Sequence, residues 1–120
     1  HQNIYFGVFM LFPFKDYNAY FKLKNISHDL NTTLTDSYKI IICGDFNNTA
    51  YSYVYRKIRG NLNDTFKEAG SGFGRTYAFK FFPVRIDFIF ADDSFIVNTF
   101  KTYDNDLSDH YPIMTSLSLE

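Results

Sequence analysis

The sequence has no tryptophan, one cysteine, two methionines and three prolines among its 120 residues. The lone Cys43 excludes an internal disulfide and a cysteine-built metal centre. Its place after an apolar run reads as a buried structural thiol. An excess of one charge sign is also missing. The net charge is −1, so no global field draws the chain to nucleic acid. Any phosphate-bearing partner must be recognised by a local site. Long apolar runs are absent too: the longest, Ile4 to Phe12, falls short of the roughly 20 residues a spanning helix needs. His1-Gln2-Asn3 lacks the charged start of a secretory leader. The first residue is not Met, so upstream sequence is expected. Asn25, Asn31, Asn47 and Asn63 open N-x-S/T sequons, which arise by chance in a chain this rich in Asn, Ser and Thr.

What is present is apolar bulk. Hydrophobic residues make up 46% and aromatic residues 21%, all of the latter Phe or Tyr. That excludes wholesale disorder and suits an extended sheet with rings between layers. Ile4 to Phe12 reads as a strand buried on both faces, closed by Pro13. From a cap at Asp16, Tyr17, Tyr20, Leu23, Ile26, Leu30 and Leu34 recur at helical spacing. Tyr38 to Cys43 is a second strand, so this order predicts a crossover within one sheet. Tyr51 to Arg59 predicts a helix ending at Gly60. Leu62 to Phe66 fits either element. Glu68 to Arg75, with Gly70, Gly72 and Gly74, is a surface loop. Thr76 to Phe82 and Arg85 to Ala91 read as strands joined at Pro83, and Phe95 to Tyr103 as another. In the last strand Ile113, Leu117 and Leu119 alternate with Met114, Ser116 and Ser118, which predicts one buried face. Residues 1–120 read as one α/β (α+β) domain, with mixed strands dominating the second half.

Three polar clusters stand at strand ends or in loops: Gly44-Asp45-Phe46-Asn47, Arg85-Ile86-Asp87 and Ser108-Asp109-His110-Tyr111-Pro112. Asp87 lies in an apolar stretch, where a carboxylate is costly unless a partner or metal compensates it. An imidazole such as His110 is a natural partner. Asp45 and Asp109 are oxygen donors of the kind Mg²⁺ or Mn²⁺ takes. Asn47 offers a neutral donor to a phosphoryl oxygen. The set suits metal-assisted attack of water on a phosphate ester. Each residue also fits a plainer role: Asp45 in a turn, Asp109 as a cap, Asp87 paired with Arg85, His110 at the surface. Arg56, Lys57 and Arg59 form either a solvated helix face or a contact for substrate phosphates.

In this order the motifs resemble the endonuclease/exonuclease/phosphatase superfamily of metal-dependent phosphoesterases. Gly44-Asp45-Phe46-Asn47 is similar to its GDFN motif, Arg85-Ile86-Asp87-Phe88-Ile89-Phe90 to its RIDYI-like strand, and Ser108 to Pro112 to its SDHxP signature. Thr76-Tyr77 fits as well. The resemblance implies the C-terminal half of a four-layer α/β/β/α sandwich with a mixed sheet and flanking helices. It implies that Asp45 positions or deprotonates the attacking water and that Asn47 holds the phosphate. Asp87 would pair with His110, whose imidazolium stabilises the transition state. Asp109, with Asp45, would lie at the Mg²⁺ or Mn²⁺ ion, and Arg56 and Arg85 would face substrate. The family's early Asn and its metal-binding Glu have no counterpart before Tyr38. The chain is therefore expected to be part of a larger enzyme, inactive or only weakly active alone, with an incomplete sheet that invites self-association. Nucleic acid, a phospholipid head group and a small phosphodiester all remain open as substrates. A non-catalytic interaction module that keeps the fold is the alternative.

Overall fold

The computed structural model describes residues 3–8, 39–104 and 106–119. Within them run β1 (Asn3–Val8), β2 (Ile41–Asp45), α1 (Tyr53–Arg59), β3 (Asn63–Asp64), α2 (Thr65–Ala69), β4 (Asp87–Ala91), β5 (Phe95–Thr102) and β6 (Ile113–Leu119). They form two three-stranded sheets, ordered β1-β6-β5 and β2-β4-β3. All these pairings are antiparallel. The expected crossover is not made, because β1 pairs with β6 and β2 with β4, in different sheets. Local order alone does not distinguish a crossover within one sheet from a step between two. The helix expected over Tyr17 to Leu34 lies outside the described residues.

Alternation along β4 organises the packing, and all five of its residues are buried. Phe88 and Phe90 face one way, into a core with Ile40, Phe46, Tyr55, Ile58 and Leu62. Tyr55 and Ile58 are the buried positions of α1, so that helix covers the outer face of the β2-β4-β3 sheet. Ile89 packs against Ile113, and Ala91 against Phe95 and Leu117. These contacts close the two sheets on each other. Among the described residues the layers are helix, sheet and sheet, an α+β arrangement.

Helix α1 begins where Ser52 Oγ accepts the Tyr55 N–H at 3.1 Å. It ends at Gly60, whose φ of +52° suits a residue without a Cβ.

Three further expectations fail. Thr76 to Phe82 is not a strand: Tyr77 alone forms isolated bridges, to Val84 and to His110. Phe79, Phe81 and Phe82 project to solvent and pack on one another. Cys43 is exposed, not buried; among the described strands β2 has a partner on one side only. Finally, β6 is buried on both faces, Ser116 and Ser118 included. It is the central strand of its sheet, and Asn98 Nδ2 donates to Ser118 Oγ at 3.2 Å.

Candidate active site

Strands β2 and β4 pair so that Asp45 stands directly opposite Asp87. Both carboxylates are buried, at 3% and 1% exposure. Like charges directly opposed across a ladder repel, and burial removes the water that would screen them. A third group answers this. His110, fully buried, stands between them: Nδ1 is 2.9 Å from Asp87 Oδ2, and Nε2 is 3.5 Å from Asp45 Oδ2. Nε2 has no hydrogen-bond partner among the described residues.

Each member is held by its own element. Asp45 ends β2, and its Oδ1 accepts the Asn47 N–H at 2.8 Å. That turn puts Asn47 at φ +54°, a left-handed conformation that Asn tolerates better than most residues. Asp87 opens β4. His110 lies three residues before β6, and its N–H donates to Ser108 Oγ at 3.2 Å. The Tyr77 ring stands edge-on to the imidazole, centroids 5.0 Å apart.

Desolvation pushes the Asp87 pKa up to about 6. Hydrogen bonds from His110 and Thr76 and the charge of His110 pull it down, and Asp45 adds to the rise. A carboxyl that titrates near neutrality next to an imidazole is suited to proton management.

The other candidates are placed differently. Asp109 is exposed, with Ser108 Oγ 3.4 Å from its carboxylate, and stands outside the cluster. Asn47 is exposed at the end of the Asp45 turn. Arg56 is exposed and its Nη1 donates to the Tyr51 carbonyl at 2.9 Å. Arg85, expected to face substrate, is committed to Asp64 instead, at 2.8 and 3.1 Å. Its guanidinium lies over the Phe66 and Phe88 rings. Asp64 also accepts the Tyr55 hydroxyl at 2.7 Å, which makes this a structural network beneath the site. Nothing local in the sequence ties Asp64 or Tyr55 to Arg85, so this network is not visible there.

Metal-competent atoms of Asp45, Asp87 and His110 all lie within 4.8 Å of one another. The two nitrogens of one imidazole point away from each other, so the carboxylate at Nδ1 does not share an ion with Nε2. The arrangement fits a hard cation on the Asp45 side, with Asp87 acting through the ring it orients.

Two facing antiparallel sheets with this cluster at one end are consistent with part of a DNase I-like fold. The model of the Endonuclease/Exonuclease/phosphatase family matches residues 11–110. The chain belongs to that family, which includes phosphatases and nucleases and is typically metal-dependent. An endonuclease/exonuclease/phosphatase from Bacteroides vulgatus superimposes with a TM-score of 0.68 at 27% identity, over 84% of this chain and 44% of that one. A family member from Bacteroides thetaiotaomicron gives 0.63 at 22%, over 85% and 44%. The mannosyl-6-phosphatase of the latter organism gives 0.62 at 23%, over 84% and 45%. The chain thus spans under half the length of these structures. No curated protein matches it by sequence.

Proposed function

We propose that this chain carries the C-terminal part of a metal-dependent phosphoesterase that splits a phosphate ester with an activated water. One observation carries the reading: two buried carboxylates, directly opposed across a ladder, converge on a single buried imidazole. A fold under selection for stability alone has no use for that repulsion.

In this reading Asp45, fixed by the Asn47 N–H, orients the water and takes its proton. Asn47, exposed at the same turn, donates to a phosphoryl oxygen. Asp87 holds His110 by Nδ1 and leaves Nε2 directed toward Asp45, where charge develops as the phosphorus–oxygen bonds change. An Mg²⁺ or Mn²⁺ ion would be held by Asp45, with Asp109 the nearest carboxylate in sequence to the cluster, and water completing the shell. Such an ion neutralises phosphate charge and lowers the pKa of a bound water. The oxygen-rich donor set favours these hard cations over zinc.

The full-length protein, assayed with Mg²⁺ or Mn²⁺ against a panel of nucleic acid, phospholipid and sugar phosphate esters, tests this. Asp45→Ala and His110→Ala should each abolish most turnover. Near wild-type rates in both variants would overturn the proposal. The panel also ranks substrates, a choice that the phosphatase neighbour, similar in fold, leaves open.

A further inference from the structure

The two members of the Asp87–His110 pair come from different sheets. Asp87 opens β4 in one sheet, and His110 precedes β6 in the other. Their 2.9 Å contact depends on how the two sheets sit at this end.

One dipeptide, Thr76-Tyr77, touches both sides. The Thr76 side chain is fully buried, and its Oγ1 accepts two consecutive N–H groups, Ile86 at 2.9 Å and Asp87 at 3.1 Å. Its main-chain N–H donates to the Val84 carbonyl at 2.8 Å. These bonds fix it to the strand that delivers Asp87. Its carbonyl accepts the Tyr111 N–H at 2.8 Å, on the far side of His110. Tyr77 bridges Val84 and His110 and sets its ring against the imidazole. The next residue, Ala78, donates to the Asp109 carbonyl at 2.8 Å. His110 is thus gripped by main-chain bonds on both flanks, from a segment whose side chain holds the Asp87 backbone.

We propose that Thr76 and Tyr77 are positioning residues, a clasp across the two sheets that sets the His110 imidazole against the Asp87 carboxylate. The hydroxyl does what no apolar side chain can. Its two lone pairs hold the Ile86 and Asp87 N–H groups together. The catalytic consequence rests on the phosphoesterase reading above, but the geometric claim does not.

The test is made on the full-length protein by proton NMR of the His110 Nδ1–H, assigned by its loss in His110→Gln, together with steady-state kinetics. Thr76→Val should lose or shift that resonance and lower kcat about 10²-fold with KM little changed, as expected for a small misplacement. Thr76→Ser, which keeps the hydroxyl, should restore both. A folded Thr76→Val that retains the wild-type resonance overturns the clasp, whatever its rate. Where Thr76→Val does not fold, Tyr77→Leu decides: it keeps the backbone bridges and should still shift the resonance, and an unchanged signal overturns the proposal. The two readings fail separately. A wild-type protein without hydrolytic activity whose variants lose the resonance sinks the function and keeps the clasp. An active wild type whose variants keep the resonance does the reverse.

Discussion

The seam between the sheets has two ends, and strand β4 runs through both. At one end Ile89 and Ala91 meet Ile113, Phe95 and Leu117 in an apolar contact. At the other, on the same face of the same strand, Asp87 meets Asp45 and His110. Both ends are buried, yet only one gains from being so. Burial stabilises the apolar end, while at the polar end it separates two carboxylates from water. The difference indicates that the apolar end serves as the anchor that holds the charged end closed. Four substitutions can break or sharpen this contrast.

The largest effect is expected at His110. His110→Ala removes the group between the carboxylates and should lower kcat of the full-length protein about 10³-fold. Folding, followed by circular dichroism, should be retained, because the anchor lies elsewhere. A variant that unfolds but shows no kinetic defect in its folded fraction would reverse the roles assigned to the two ends.

Ile89→Ala attacks the other end. Ile89 is fully buried, so deleting its outer carbons should cost about 2–5 kcal/mol of stability. Thermal melting measures this directly. The folded fraction should keep its kcat within a few-fold. A kcat loss as large as that of His110→Ala would show that the anchor and the chemistry are not separable.

Asp87→Asn makes the comparison quantitative through pH. Burial raises the Asp87 pKa to about 6, so the folded protein holds this proton more tightly than the unfolded chain. The stability that results is complete below the ordinary carboxyl value of 3.8 and is lost as pH rises through about 6. Asp87→Asn keeps an oxygen for the His110 Nδ1–H but has no charge to bury. It should flatten the stability curve across that interval and gain on the order of 2 kcal/mol over wild type above pH ~7. Activity should fall at the same time, as is common where function is held at a cost in stability. Parallel curves for the two proteins would remove Asp87 as the source of the charged end's cost.

How much of this was legible beforehand follows from where the information lies. Gly44 to Asn47, Arg85 to Asp87 and Ser108 to Pro112 were readable because each places its polar residues at a strand end within a few positions. The pairing of Asp45 with Asp87 was not readable, since register across 42 residues is set by sheet assembly and not by local pattern. The Arg85–Asp64 pair was not readable for the same reason: Asp64 lies in a segment with no clear local pattern. Thr76 to Phe82 imitated a strand because its phenylalanines supply β-propensity, although three of them project to solvent. An apolar run suggests a buried Cys43 because it does not reveal that, among the described strands, β2 has a partner on one side only.

The smallest effect is expected at Arg56, and it separates the two readings of the basic patch left by the sequence. The guanidinium is exposed and its Nη1 donates to the Tyr51 carbonyl of the turn before α1. An exposed bond of this kind contributes little, so Arg56→Ala should change stability by less than about 0.5 kcal/mol. If the patch is only a solvated helix face, kcat and KM should both stay within about twofold. If Arg56 also meets a substrate phosphate, KM rises several-fold and falls less steeply with dilution of salt than in wild type, while kcat holds. Because α1 packs on the opposite side of the sheet from the Asp87–His110 contact, the first outcome is expected. A salt-dependent KM defect would extend the site around the sheet edge to the helix.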